Sequence, residues 1–232
     1  FGQEVQLDKI AERLGLDPAE LRLAMVTKPD SLTASWLRIG SNGLAECIDR
    51  VVEMSGWKER RGKLGPGRGL GLACSTYMCG AGVSIYWNKM PHSAVQLLLD
   101  RSGQVTVYCG ATELGQGSDD VLSALTAEAL GIDPINIRCV TGDTGITPID
   151  LGSYSSRVTI MMGNAALQAA GRVRELLASA AAEALNTLPD RVVFSQDRVF
   201  AAEDPGKTMS FIEAVALAET KFGTIAAVGS YA

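Results

Sequence analysis

"QVTVYCGATELGQGSDDVLSALTAEALG", residues 104–131, decides how this chain is read. It opens on an alternation. Val105, Val107 and Cys109 fall on one side and Thr106 and Tyr108 on the other, the two-residue period of a half-buried strand. It closes on a helical pattern over 119–130 that Gly131 stops. Between them, "GATELGQGS" nearly spells a phosphate loop. Gly110 and Gly115 stand where such a loop has them, but Gln116 replaces the lysine and Gly117 the magnesium-holding hydroxyl. Asp119 and Asp120 sit in the first helical turn, where they suit the helix dipole and repel a highly charged phosphate. A nucleoside triphosphate is therefore disfavoured. Gly115, Gln116, Gly117 and Ser118 instead offer donors at a helix entrance, with Ser118 as the expected N-cap. They suit a ligand with neutral hydrogen-bonding edges and at most a diester-type charge.

The same arrangement recurs downstream. "INIRCV", 135–140, reads as a strand with Ile135, Ile137 and Cys139 on one face. The loop "TGDTGITPIDLGSYSSRVT", 141–159, then enters a long Ala-rich helix from about 160 to 186. On that helix Gln168, Arg172, Glu175, Ser179 and Glu183 form a polar stripe at helical spacing, so the opposite face is buried. The second loop supplies hydroxyls from Ser153, Tyr154, Ser155, Ser156 and Thr159, and a cation suited to phosphate from Arg157. If the two strands are neighbours, both loops open at one end of a sheet. Glu113, Asp143 and Asp150 each stand alone in a loop, where turn or cap duty is expected rather than acid–base work.

Working outward, "SAVQLLLD" and "QVTVYC" flank "RSG" as a hairpin, and "RVVFSQDRVF" reads as another. "SFIEAVALAETKF" reads as a helix and "TIAAVGSYA" as a strand; "GLGLACSTY" (69–77) and "VSIYW" (83–87) are further strand candidates. Upstream lie helices over 4–14, from Asp17-Pro18 onward with Glu20 in capping-box position, and over 43–55. Residues 28–42 are polar and irregular, and "KERRGKLGPGRG" (58–69) reads as a linker. The fold class is α+β, mixed sheets with packed helices, divided at 1–58 and 59–232.

Composition narrows the function. The chain has 232 residues, 47% hydrophobic and 20% charged, enough apolar content for a sizeable core. A net charge of −5 argues against nucleic acid as partner. No apolar run approaches the roughly 18 residues of a membrane span. Five cysteines without a C-x-x-C pair, and one histidine, assemble no zinc or iron–sulfur ligand set and no Ser/His/Asp triad. Reduced, mostly buried thiols in a cytoplasmic protein are the expectation. On spacing alone, a free-standing binding module for a phosphate-bearing small molecule stays open.

The ordered series "GATELGQGSDD", "AEALGI" and "GDTGITPIDLGSYSSRVTIMMGNAA" resembles the large, molybdopterin-binding subunit of the xanthine oxidase family of molybdenum hydroxylases. "FGQEVQLDKIAERLGLDPAELRL", "SNGLAECIDRVVEMSGWKERR" and "GRGLGLACS" are similar to family blocks in the same order, so the resemblance covers essentially the whole chain. Within the family, "GSYSSR" is most similar to the 4-hydroxybenzoyl-CoA reductase alpha type and related bacterial hydroxylases. The resemblance implies residues 1–58 as the helical end of a first molybdopterin-binding domain and 59–232 as part of a second. It implies cofactor contacts at Gly115, Gln116, Gly117 and Ser118, at Ser153 through Arg157, and at Thr159. The implied ligand is a molybdopterin, in its cytosine dinucleotide form, with molybdenum held by the pterin dithiolene rather than by protein. It further implies iron–sulfur and FAD sites on separate subunits or domains, and an aromatic, heterocyclic or aldehyde substrate. The family's arginine before the Phe-Gly turn and its Gly-Glu general base have no counterpart here, so a piece of a longer oxidoreductase, inactive alone, is expected.

Overall fold

The computed structural model describes residues 1–34, 36–77 and 92–232. The chain divides into two compact units, Phe1–Thr76 and Tyr77–Ala232.

In the first unit, α1 (Gly2–Leu14) ends where Gly15 takes a left-handed conformation. Pro18 starts α2 (Pro18–Met25), and the Asp17 carboxylate accepts from the Ala19 N–H at 2.7 Å. The same carboxylate accepts from Trp57 Nε1. This draws α4 (Trp57–Arg60) and α3 (Leu44–Ser55) onto a small core of Ala19, Ile48 and Trp57. Arg22, almost fully buried, binds the Glu4 and Asp8 carboxylates and so ties α2 to α1. Two short strands, β1 (Ser31–Leu32) and β2 (Arg38–Ile39), pair within the stretch read as irregular. The start of the expected linker is helical, as α4 shows. The strand expected over 69–77 is not formed. Gly69 and Gly71 leave that segment little side chain to bury on a ladder. The candidate at 83–87 lies outside the described residues.

The second unit is built on a four-stranded sheet, ordered β5-β4-β3-β9. Strand β3 (Ser93–Leu99) pairs antiparallel with β4 (Val105–Cys109), as the "RSG" turn predicts, and on its other side with β9 (Ala226–Tyr231). Register places Val95, Leu97 and Leu99 opposite Cys109, Val107 and Val105, and all six are buried. That face is covered by α5 (Ser118–Leu130) and α6 (Val158–Ala184). The long helix turns Ala165, Ala166, Ala169, Ala170, Val173 and Leu177 inward and leaves the predicted polar stripe outside. Small residues there allow backbone contact: a Cβ on Gly229 of β9 would sit 2.0 Å from the Ala165 carbonyl oxygen.

The fourth strand, β5 (Ile137–Thr141), runs parallel to β4, so β4, α5 and β5 make a strand–helix–strand crossover. It starts later than expected. Pro134–Asn136 form a turn of 3-10 helix, and Ile135 is exposed there instead of sharing a face with Ile137 and Cys139. A second, three-stranded sheet joins β6 (Val192–Ser195), β7 (Arg198–Ala201) and β8 (Asp204–Ser210). Gln196 and Asp197 carry φ of 53° and 59°, the two-residue turn that matches strand twist. After β8, Ser210 and Glu213 form a reciprocal cap on α7 (Phe211–Phe222).

Candidate functional site

Because β4 and β5 are parallel, with Cys109 beside Thr141, the loops that follow them leave one end of the sheet together. They also touch. The Thr112 N–H donates to Ser153 Oγ at 2.9 Å, and a Cβ on Gly110 would come within 2.7 Å of the Asp150 Cβ.

The first loop is wound around its own carboxylate. Glu113 accepts from the N–H groups of Gly115, Gly117 and Asp119 and from the Ser118 hydroxyl. Desolvation would raise the Glu113 carboxyl; the four hydrogen bonds outweigh it and bring its pKa down to about 2. Two sequence expectations change here. Ser118 is not the N-cap: Gly117, at φ 76°, holds that place, and Ser118 is the first helical residue. The backbone donors at Gly115 and Gly117 are not open to a ligand in this arrangement, because Glu113 has taken them. The Gln116 carboxamide is also engaged, accepting from the Leu114 N–H and donating to the Thr112 carbonyl and the Ser118 hydroxyl. Burial, then the Glu113 charge, raises the Asp119 carboxyl.

The second loop turns on Ser155 and Ser156, both in the left-handed region at φ 54° and 52°. Arg157 follows and is wholly buried. Sequence reading offered it as a phosphate cation, but its charge is already matched: Nη1 meets Asp150 Oδ1 at 2.8 Å, with both side chains fully covered. Nη1 and Nη2 also donate to the Gly152 and His92 carbonyls and to Ser93 Oγ. The Coulomb attraction between the two charges is stronger in the low-dielectric interior than at a surface, and desolvation of both groups offsets much of it. Asp150 is thus an ion-pair partner, while Glu113 and Asp143 have the expected cap and turn duties; Asp143 Oδ1 accepts from the Gly145 N–H.

Leu114 and Gln116 of the first loop and the 153–159 stretch of the second line one cleft of about 380 Å³, with Tyr77 closing it. The structure therefore gathers Gln116, Ser153, Tyr154, Ser155, Ser156, Arg157 and Thr159 around a single concavity. Gly115, Gly117 and Ser118 stand behind Gln116 rather than on the lining. A Cβ built on Gly115 or Gly117 meets nothing within 4 Å; it is the backbone at φ 97° and 76° that calls for glycine. Tyr77 and Leu114 were missed. Tyr77 accepts from the Ser155 N–H across a separation of 78 residues, which no local pattern announces. Leu114 looks in sequence like any loop leucine, yet it is 70% exposed at the cleft.

Hydroxyls, one carboxamide and tyrosine rings, with the only guanidinium on the described lining already neutralised, make a site for a planar organic ligand with neutral polar edges. Among the described residues the lining carries no Asp, Glu or His. These residues can bind and orient a ligand through their hydroxyls and the Gln116 carboxamide. Such a cleft suits an organic ligand. A pterin, with ring N–H, ring nitrogens, an exocyclic amine and one carbonyl, matches that donor and acceptor set.

Comparison with known proteins makes the class specific. The profile of the molybdopterin cofactor-binding domain matches residues 50–232. The xanthine dehydrogenase molybdenum-binding subunit of Escherichia coli O157:H7 is 30% identical over 227 residues, covering 94% of this chain and 29% of that protein. Subunit gamma of the 6-hydroxypseudooxynicotine dehydrogenase complex of Paenarthrobacter nicotinovorans is 36% identical, covering 82% and 25%. Quinoline 2-oxidoreductase from Pseudomonas putida 86 shares the fold, with a TM-score of 0.59 at 21% identity, covering 99% of this chain and 32% of the other. The chain belongs to the molybdopterin cofactor-binding domain family, and it spans less than a third of the length of these curated relatives.

Proposed function

We propose that this chain is the part of a molybdenum-dependent oxidoreductase subunit that walls one side of the cofactor, with the pterin against the cleft between the two loops. The observation that carries the reading is the convergence of both strand-to-helix loops on one neutral, hydroxyl-lined cleft at the carboxyl end of β4 and β5. Gln116 Oε1, with a lone pair left beside the Leu114 N–H, and the hydroxyls of Ser153, Tyr154, Ser155, Ser156 and Thr159 meet the ligand's polar edges. Gly115, Gly117 and Ser118 shape the turn that presents Gln116. Arg157 stands at the wall as the loop's anchor. When bound, the cofactor supplies the two-electron redox chemistry; this chain's residues hold it, set its orientation and exclude water.

The finer reading follows the "GSYSSR" loop: a 4-hydroxybenzoyl-CoA reductase or hydroxylase type, using the cytosine dinucleotide form, with iron–sulfur and FAD partners and an aromatic, heterocyclic or aldehyde substrate. Two relatives are themselves described as a molybdenum-binding subunit and as a subunit of a dehydrogenase complex, which supports partner chains here. A cytoplasmic location accords with reduced cysteines, and no helix among the described residues is long and apolar enough to cross a membrane. Residues 1–58 and 59–232 are taken as parts of two successive cofactor-binding domains.

Gln116→Ala in the full-length protein tests the site. Its three loop hydrogen bonds are solvent-exposed or partly so, so the fold survives while the ligand edge is lost. Molybdenum and pterin content is expected to fall by about fivefold to tenfold, the scale of one or two net hydrogen bonds, with an unchanged circular dichroism spectrum. Full metal and pterin occupancy in that variant would remove Gln116 from the site.

A further inference from the structure

One carboxylate sits where three parts of the second unit meet. The 149–151 segment runs antiparallel to the start of β3: the Ala94 N–H donates to the Ile149 carbonyl, the Leu151 N–H to the His92 carbonyl, and Ser93 bridges Asp150. From there Asp150 binds Ser93 Oγ, the Gly152 N–H at 2.6 Å and Arg157 Nη1 at 2.8 Å. Gly110, the first residue of the other loop, packs on its Cβ. Arg157 completes the ring through Ser93 Oγ and two carbonyls, so both termini of the 152–157 turn are held by the same buried pair. Five of these contacts involve residues 152 and 157 at the turn's ends, and within this cluster Arg157 Nε finds no partner among the described residues.

A charge pair buried this completely carries a desolvation cost that a pair of apolar residues would not, so stability alone is a weak reason for it. Its geometric consequence is specific. It sets the 153–156 turn beside the first loop, where Ser153 Oγ receives the Thr112 N–H. We propose that Asp150, Arg157 and Ser93 form a buried positioning device that fixes the 153–156 turn at the cleft wall, and that Arg157 serves the site through that turn rather than by touching a ligand anion. For the identity of what the wall holds, the inference rests on the cofactor reading above.

The test uses the full-length protein with Ser93→Ala, Asp150→Asn and the double change Asp150→Leu/Arg157→Met. Two quantities are read: hydrogen–deuterium exchange of the 152–157 amides in cofactor-free protein, and molybdenum with pterin content as isolated. Ser93→Ala is expected to speed exchange in the turn by roughly fivefold to tenfold, the size of one net hydrogen bond, and Asp150→Asn, which leaves the buried Arg157 charge unmatched, by more; both are expected to lower cofactor content in parallel. Asp150→Asn is diagnostic, since deleting a negative charge would strengthen any direct contact of Arg157 with a phosphate. Raised cofactor content in that variant overturns the proposal in favour of direct contact. The apolar double variant is expected to keep its melting temperature while the turn stays loose and cofactor content low; recovery of all three means that the pair is only structural. Ser93→Ala, the mildest change, carries the test if Asp150→Asn does not accumulate. Unaltered exchange in every variant overturns the device itself. A loosened turn with full cofactor content leaves the device standing and removes the cofactor from this cleft.

Discussion

Glu113 shows how one side chain can redirect a loop's chemistry. Its carboxylate satisfies three backbone donors at the entrance to α5, the cap duty expected of a lone loop carboxylate, and so takes the place expected of Ser118. The consequence is a pH dependence of known sign. The folded-state pKa, about 2, lies below the ordinary value of 4.5, so this cap stabilises fully above pH 4.5 and is lost as pH falls toward 2. Acid unfolding followed by circular dichroism should show wild type losing its advantage over Glu113→Gln across that window, and the two should converge below it. A constant difference between them down to pH 2 would mean that the cap is not carboxylate-borne. Nothing in the spacing of "GATELGQGS" distinguishes Glu113 from its neighbours; the role appears only once the turn brings residue 113 back over residues 115–119.

At the scale of elements, packing between neighbours is set by absent side chains as much as by present ones. Gly131 ends α5 at φ 70°, and a Cβ there would sit 2.4 Å from the Phe194 carbonyl of β6. The Asp197 N–H donates to the Gly131 carbonyl at 2.9 Å, so the helix end and the β6–β7 hairpin are joined backbone to backbone. Gly131→Ala therefore meets both left-handed strain and overpacking. It is expected to cost about 2–5 kcal/mol, from about 1–2 for the conformation and about 1–3 for the forced shift. Thermal or denaturant melts check this; a loss within about 0.5 kcal/mol, typical of a surface change, would show that the hairpin is free to move away. The stop at Gly131 was legible in sequence, and so were both hairpins, α6 with its polar stripe and α7. Strand β8 was not, because "DPGKTMS" carries the Pro and Gly of a turn and pairs only through its partner β7. The exposed Ile135 and the unformed strand over 69–77 have local causes: Pro134 turns the chain before β5, and Gly69 and Gly71 offer a ladder little side chain to bury.

Over the whole molecule, the same packing that builds the second unit's core silences Cys109 and Cys139. Burial pushes Cys109, at the end of β4, up to about 12, and raises Cys139 as well, while Cys47 in the first unit is exposed. A thiol reagent at pH 8 should label Cys47 within minutes and leave Cys109 unmodified until the second unit unfolds. Equal rates for these two would contradict the burial of β4. The amino-acid sequence alone determined the α+β class, the two strand–loop–helix passages, the poor match to a triphosphate and the family, because each rests on local period, turn chemistry or an ordered series of short motifs. Only the tertiary structure decided which groups those loops spend on themselves. Hydrogen bonding and charge neutralisation inside a protein are contests between partners distant in sequence: Asp150 claims Arg157, Glu113 claims the helix entrance and Tyr77 reaches Ser155, and proximity in space settles each of them.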